Sequence, residues 1–239
     1  MLRLLFTEEF LRALEGWSGH VGAPAKDHRA TPGLQVFRNP FVERYLASAH
    51  PLFPGTWAIP LSILLLLRAF EAGLGPAELA GATVGGALCW SLLEYVLHRF
   101  LFHRVPRPDS SPDRLGQYLM HGYHHDYPQD ERRLVAPLLL VVPIAIPVAV
   151  AWRVTAGPVW WMPLFAGTVL GYLAYDWMHW YTHHAVPTGV LGRWLRRLHA
   201  IHHYKRFDQN MGISSPLWDR VLGTYLDKPR RRAARPRRH

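Results

Sequence analysis

The chain has 239 residues, which is long enough for one sizeable domain and short for two. Hydrophobic residues make up 49% of it and charged residues 18%, which excludes a disordered polar chain. The single cysteine, Cys89, excludes a disulfide framework and any metal site built from several thiolates. The net charge of +10 comes mainly from the basic residues between Lys228 and Arg238, so the rest of the chain is close to neutral.

Residues 1–17 predict an amphipathic helix, because apolar side chains recur near one helical face. These side chains are Leu2, Leu5, Phe6, Phe10 and Leu14. The apolar run is too short and too acidic for a signal peptide. The helix would lie in the membrane interface or pack as a cap against the rest of the protein. The Pro- and Gly-rich residues 18–52 are expected to be irregular, so residues 1–52 form a cytoplasmic or interfacial segment.

Four segments are apolar enough to cross a bilayer, for which about 20 residues are needed. They are residues 57–75, 77–97, 134–152 and 158–175. Short links at 74–76 and 154–158 pair them into two hairpins, a pattern that disfavours buried helices of a soluble protein. Three prolines in the third segment predict a kinked span whose freed backbone groups are satisfied by its neighbours.

The distribution of Arg and Lys predicts the orientation of these spans. Residues 99–133 and 193–238 are Arg-rich, so both regions and both termini are expected in the cytoplasm. Residues 53–226 would form a membrane-embedded domain, followed by a basic tail at 227–239. The tail predicts a polybasic contact with anionic lipid or a disordered topology anchor, and no nucleic-acid partner, because no aromatic residues interleave with its arginines. The excess of Arg over Lys indicates a GC-rich bacterial genome, and hence a bacterial inner membrane.

Eleven of the 15 histidines fall into four groups at or just beyond the ends of the second and fourth spans. The groups read HRFLFH from His98, HGYHH from His121, YDWMHWYTHH ending at His184, and HAIHH from His199. Three groups contain an i, i+4 pair, which places two imidazoles on one helical face. Side-chain packing gives no reason for such density, whereas metal ligation does, because imidazole is the commonest metal ligand.

The number of imidazoles exceeds what a single ion can bind. Two structural zinc sites would use about four ligands each, commonly including cysteine. About five nitrogens for each of two ions suit iron, with a position left for water or dioxygen, so two iron ions are predicted. Zinc can replace iron in recombinant material, because affinity alone does not exclude it.

Two acidic residues precede ligand candidates on the same helical face. Glu94 lies four residues before His98 inside an apolar span, and Asp176 lies three residues before His179. An acid within the membrane is costly and usually functional, so both are predicted to accept a hydrogen bond from the distal N–H of a ligand ring. Alternatively they pair with Arg99 and Arg193.

The order and spacing of the four groups resemble the fatty acid hydroxylase family. Neighbouring stretches agree with the resemblance, which covers roughly residues 55–226. They are LLEYVLHRFLFHR at the end of the second span, DERRLVAP after the second group, and GISSPLWDRVLGT after the last. The resemblance implies an all-α integral membrane protein with four transmembrane helices and a cytoplasmic helical cap that holds a histidine-rich dimetal site.

Carried over residue by residue, the family's metal ligands fall on ten histidines. They are His98, His103, His121, His124, His125, His179, His183, His199, His202 and His203. His184 is left over and is expected to support a ligand through a hydrogen bond. The implied activity is hydroxylation of a long acyl chain at C2, free or within a sphingolipid, using dioxygen and two electrons.

Members with a fused haem electron donor carry a His-Pro-Gly-Gly motif, whereas His50-Pro51 is followed here by Leu52-Phe53. A separate electron-donor protein is therefore expected. Tyr123 and Tyr175 are predicted to line the substrate entrance. Related chemistry on the same scaffold, such as sterol desaturation or oxidation or carotenoid hydroxylation, remains open, as does a membrane metal transporter. A transporter would place histidines or carboxylates along the spans, whereas here they gather at one membrane face.

Overall fold

The computed structural model describes residues 2–22 and 33–227, which are helical or irregular and contain no strand. Nine α-helices occur in this part of the chain: α1 Leu2–Leu5, α2 Glu8–Gly16, α3 Phe53–Glu71, α4 Pro76–Val96, α5 Ser111–Gln117, α6 Tyr123–Asp126, α7 Leu138–His184, α8 Val190–Tyr204 and α9 Leu217–Val221. Three wider, π-helical stretches are Val42–Leu46, Leu97–Phe102 and Tyr118–Gly122. The predicted basic tail lies outside the described residues from residue 228 onward.

Three helices are long and apolar enough to cross a membrane: α3, α4 with its π-helical continuation to Phe102, and α7. The first two predicted spans fall on α3 and α4. Large apolar side chains on both helices point outward, with Ile63 52% exposed and Leu88 61% exposed. An apolar outer surface of this kind suits a bilayer rather than water.

The predicted third and fourth spans fall on the two halves of the helical stretch α7, before and after Gly157. The predicted link at 154–158 reduces to a break at Gly157, whose φ of 79° and ψ of −173° are non-helical. Trp152 Nε1 donates a hydrogen bond to Thr168 Oγ1 at 3.0 Å. In a straight helix these two residues would be about 24 Å apart, so the two halves of α7 turn back on each other at Gly157.

Helices α4 and α7 are in close contact through two glycines. A Cβ added at Gly86 would lie 2.0 Å from the carbonyl oxygen of Leu164, and one at Gly167 would lie 2.0 Å from that of Thr83. Small residues at such contacts allow helix backbones to approach, which drives helix association in membranes. The contact places the His98 end of α4 beside the His179 end of α7.

Gly167→Val is expected to destabilise the protein by about 1–3 kcal/mol or more, because the added methyls force the two backbones apart. Thermal unfolding of the protein purified in detergent measures the effect. Gly81→Val, on an exposed part of α4 with no atom within 4 Å of the added Cβ, is the matched control. Equal unfolding temperatures for the two variants would contradict the role of Gly167.

Helix α2 and the residues on either side of it pack against the rest of the protein. Phe6, Phe10, Leu14 and Trp17 are buried in one cluster with three tyrosines of the segment that carries His121. Of the two alternatives, the structure therefore favours the packed cap, although Leu4 of α1 is 80% exposed.

The expectation of irregular chain over residues 18–52 is wrong in part. Residues Val42–Leu46 are π-helical, and Leu34 and Val36 are buried in the same cluster as Phe10. Glu43 fixes this segment, because its carboxylate accepts hydrogen bonds from the backbone N–H groups of Val36 and Phe37. Burial of these apolar residues against the N-terminal helix overrides the Pro- and Gly-rich composition.

Candidate metal centre

His98 and His103 are brought together by the π-helical stretch at the end of α4. Five residues apart, the two would point to different sides of an α-helix. The N–H of His103 instead bonds to the carbonyl of His98 at 3.1 Å, the i to i+5 pattern of a wider turn, and the ring centroids lie 4.8 Å apart. A turn of this kind within an α-helix is frequently found at functional sites.

All ten predicted ligands meet in two groups of five. Within each group the nitrogens lie within 4.8 Å of one another. The first group, called site A, is His98, His103, His121, His125 and His202, and the second, called site B, is His124, His179, His183, His199 and His203.

The motifs HGYHH and HAIHH each contribute rings to both sites, and the site that receives two rings from one motif receives one ring from the other. In HGYHH the i, i+4 pair of His121 and His125 belongs to site A and His124 to site B. In HAIHH the pair of His199 and His203 belongs to site B and His202 to site A. Each motif thus bridges both sites, which places the two sites side by side: the rings of His125 and His203 stack with centroids 4.1 Å apart.

The spacing of the ring nitrogens fits metal coordination. Nε2 of His98 lies 3.0 Å from Nε2 of His121, and Nε2 of His179 lies 3.1 Å from Nε2 of His124. Two imidazole nitrogens bound at right angles to one ion, each about 2.0–2.1 Å from it, are about 3.0 Å apart. The rings are therefore arranged as neighbouring ligands of one ion are.

The protonation states agree with a metal site. Burial, followed by repulsion from His98, lowers the pKa of His124 to about 3, and burial is also the main cause that lowers the pKa of His202. The rings are thus neutral at pH 7, the form that binds metal. Nδ1 of His202 donates to the carbonyl of Gln209 at 2.8 Å, while its buried Nε2 has no hydrogen-bond partner among the described residues. A buried lone pair left this way is costly, and a metal ion would satisfy it.

Glu94 does not take the predicted place beside a ligand ring. Its Oε1 accepts hydrogen bonds from the backbone N–H groups of Ile213 at 2.6 Å and Ser214 at 2.9 Å, and its Oε2 accepts one from the Ser214 hydroxyl. The carboxylate therefore acts on the loop after α8, about 120 residues away in sequence. The alternative ion pair with Arg99 is not found among the described residues, and the Arg99 guanidinium donates to the Tyr95 hydroxyl.

Asp176 and His184 also differ from expectation. Asp176 accepts hydrogen bonds from the backbone N–H of Ala136 and the hydroxyl of Tyr172, so it joins α7 to the segment before it rather than to a ligand ring. The His184 ring stacks on Trp180, and its buried Nε2 has no hydrogen-bond partner among the described residues. Neither side chain is hydrogen-bonded to a member of site A or site B in this part of the chain.

An apolar cavity leads from the histidines into the helix bundle. At one end it is lined by His121, His124 and His179, and at the other by Val148 and Phe165. From His179 to Phe165 along α7 the distance is about 21 Å at 1.5 Å per residue. A cavity of this depth can hold an extended hydrocarbon chain, since one leaflet of a bilayer core is about 15 Å thick.

Apart from Thr168, the polar residues that line the cavity gather at its histidine end. Tyr175 lines the cavity and stacks on the His179 ring with centroids 5.9 Å apart. Tyr123 lines it too, and its hydroxyl donates to Asp130 at 2.7 Å and accepts from the N–H of Leu34. Arg133, which the sequence analysis missed, lies against the cavity with its guanidinium over the Tyr123 ring and bonded to Glu43.

The loop after α8 was not predicted to contact the metal ligands. Its carbonyl groups at Gln209 and Met211 accept hydrogen bonds from Nδ1 of His202 and of His98. Every residue has a backbone carbonyl, so the residue types in the sequence do not indicate which carbonyls accept these hydrogen bonds. Only the resemblance of the GISSPLWDRVLGT stretch marked this region.

Comparisons with known proteins agree with this geometry. Residues 83–224 match the family model described as fatty acid hydroxylase. Dihydroceramide fatty acyl 2-hydroxylase FAH1 of Arabidopsis thaliana is 33% identical over 224 residues, which cover 92% of this chain and 93% of the relative. Fatty acid 2-hydroxylase of Homo sapiens is 37% identical over 156 residues, which cover 60% of this chain and 39% of that protein. The solved hydroxylase domain of full-length scs7p superposes with a TM-score of 0.73 at 32% identity, covering 79% of this chain and 71% of that one. The chain therefore belongs to the fatty acid hydroxylase family.

Proposed function

We propose that this protein is a membrane-bound dimetal oxygenase that hydroxylates a long-chain fatty acyl group at C2. The observation that carries the proposal is the convergence of ten imidazoles, in two groups of five, at one end of an apolar cavity. The names of the relatives, which are fatty acyl and fatty acid 2-hydroxylases, support the same substrate and the same position.

Two iron ions would be held by site A and site B. Five imidazoles are more than tetrahedral zinc takes, and they leave one position of an octahedral ion open. When bound, a reduced iron pair supplies the activation of dioxygen that breaking an unactivated C–H bond requires. Two further electrons are needed for each turnover, and a separate redox protein is proposed as their source.

The protein's own residues position the substrate and keep water away. Val148 and Phe165 offer only apolar contacts, so the methyl end of the chain enters the cavity and the carboxyl or amide end stays near the histidines. C2 is the carbon next to that end, so it lies nearest to the metal ligands. Tyr123, which is buried, and Tyr175, which is half-buried, line the cavity beside them and limit the access of water, which suppresses side reactions.

We further propose that the chain crosses the membrane four times. The break at Gly157 would separate two spans within α7, each of sufficient length. The histidine groups, the packed N-terminal helix and both termini would form a cap on the cytoplasmic side, since the Arg-rich regions lie there. The basic tail would contact anionic lipid of a bacterial inner membrane. The chain would then consist of a cytoplasmic or interfacial N-terminal segment at residues 1–52, a membrane-embedded catalytic domain at residues 53–226 and the basic tail at residues 227–239.

Expression in a host that lacks hydroxylated fatty acids, followed by mass spectrometry of total lipids, tests the proposed activity. The expected product is a 2-hydroxy acyl chain, free or amide-linked, that is absent from cells carrying the empty vector. The comparisons do not favour the other chemistries considered above. Hydroxylated or desaturated sterol or carotenoid in place of 2-hydroxy acyl lipid would contradict the proposal, as would metal uptake into proteoliposomes without lipid product.

A further inference from the structure

The loop from Gln209 to Ser214 lies directly behind site A. Its carbonyl at Met211 accepts from Nδ1 of His98 at 2.6 Å, and its carbonyl at Gln209 accepts from Nδ1 of His202 at 2.8 Å. Because the Nδ1 proton of each ring is committed to a carbonyl, the Nε2 lone pair of each is directed into site A. The loop thus fixes both the tautomer and the orientation of two ligands.

Two buried carboxylates hold every backbone N–H of this loop from Met211 to Ser214. Asp219 accepts from Met211 at 2.7 Å and Gly212 at 2.8 Å, and Glu94 accepts from Ile213 and Ser214. Asp219 is 0% exposed and Glu94 is 3% exposed. Removal of either carboxylate leaves two backbone donors without partners in the protein interior, so the loop must move to satisfy them.

Site B has no equivalent support on two of its rings. The buried Nδ1 atoms of His199 and His203 have no hydrogen-bond partner in the described part of the chain. These rings are held instead by the helical turns of α8 and by their contacts with His183, at ring-centroid distances of 4.7 Å in both cases. Among the described residues the carbonyls of this loop bond to two rings of site A, His98 and His202, and to no ring of site B, so the loop acts directly on site A.

We infer that Glu94 and Asp219 are positioning residues for one metal site only: by holding the loop whose carbonyls orient His98 and His202, they set the metal affinity of site A while site B is independent of them. The inference rests on the proposed function, because it assumes two bound ions. It predicts an asymmetric centre in which loss of a buried carboxylate removes one ion rather than two.

Metal analysis of the full chain, purified in detergent and dialysed against a chelator that leaves the unaltered protein with both ions, tests this inference. Glu94→Ala and Asp219→Ala are expected to retain one ion, because the loss of a group that orients a ligand costs about 10–100-fold in metal affinity. Glu94→Gln is expected to retain both, since its amide oxygen can still accept from Ile213 and Ser214. Glu43→Ala is the matched control, because this carboxylate also holds two backbone N–H groups but lies on the N-terminal segment.

Paired substitutions identify the emptied site. Glu94→Ala combined with His98→Ala is expected to retain one ion, because both changes act on site A. Glu94→Ala combined with His199→Ala is expected to retain none. Retention of one ion also shows that the variant has folded, since the rings of site B come from three separate helices.

Retention of both ions by Glu94→Ala, or loss of both, would overturn the inference, as would the loss of an ion from Glu43→Ala. Failure of the unaltered protein to bind two ions would instead refute the dimetal site of the proposed function. The two failures are therefore distinguishable in one experiment that does not depend on activity.

Discussion

Alanine at His124 or at His202 is expected to abolish formation of 2-hydroxy acyl lipid. The two residues belong to different sites, His124 to site B and His202 to site A, so each substitution removes one of five ligands from a different ion. Loss of a group that only orients a metal ligand lowers metal affinity or activity by about 10–100-fold. Removal of the ligand itself is therefore expected to reduce product by more than about 100-fold. Mass spectrometry of lipids from cells expressing each variant, normalised to the amount of protein, measures the loss.

His20→Ala is the matched control for these substitutions. His20 is exposed and its contacts are with Ser18, far in sequence from both sites. This variant is expected to form product at the level of the unaltered protein. Full activity of either ligand variant would show that only one of the two sites, or neither, is required for the reaction.

Narrowing the cavity is expected to shift the reaction toward shorter acyl chains. Ala145 lines the cavity on the first half of α7, opposite Phe165 on the second half. Ala145→Phe would fill the space that the methyl end of a long chain occupies. Because one methylene in an apolar pocket changes discrimination by about 10–200-fold, the ratio of short to long hydroxylated chains is expected to rise at least about tenfold.

Ala149→Phe provides a control of the same size, one helical turn further along. Ala149 packs against the same apolar cluster as Ala145 but is not among the residues that line the cavity. Phe165→Ala is the reverse test and is expected to extend the accepted chain length. An unchanged chain-length profile in Ala145→Phe, with normal protein yield, would contradict the placement of the acyl chain in this cavity.

Local patterns were sufficient to predict the ligand pairs that share a helical face. The spacing of His179 and His183 predicts two rings one turn apart, and both belong to site B. The partition of HGYHH and HAIHH between the sites was not predictable, because it depends on how separate helices approach one another. The pairing of His98 with His103 depends on a π-helical turn, for which the sequence shows no signal.

Hydropathy predicted where the apolar helices occur and that α7 is interrupted within residues 154–158, but not that the link is a single residue. A single residue, Gly157, replaces the expected link, because glycine reaches a positive φ without strain and Pro158 can begin the next helical turn. The role of Glu94 was misassigned for a different reason. Its nearest ligand in sequence is His98, but its hydrogen-bond partners at Ile213 and Ser214 come from the far end of the chain. Such contacts are set by tertiary structure and have no local pattern.

The source of the product's hydroxyl oxygen tests the central claim most directly. Cells that express the protein would be grown under isotopically labelled dioxygen, and the position and label of the new hydroxyl would be read by fragmentation mass spectrometry. A dimetal oxygenase at the head of an acyl cavity predicts one labelled oxygen at C2 of long acyl chains. A hydroxyl that carries unlabelled oxygen from water, or a label on a carbon distant from the carboxyl end, would contradict the account.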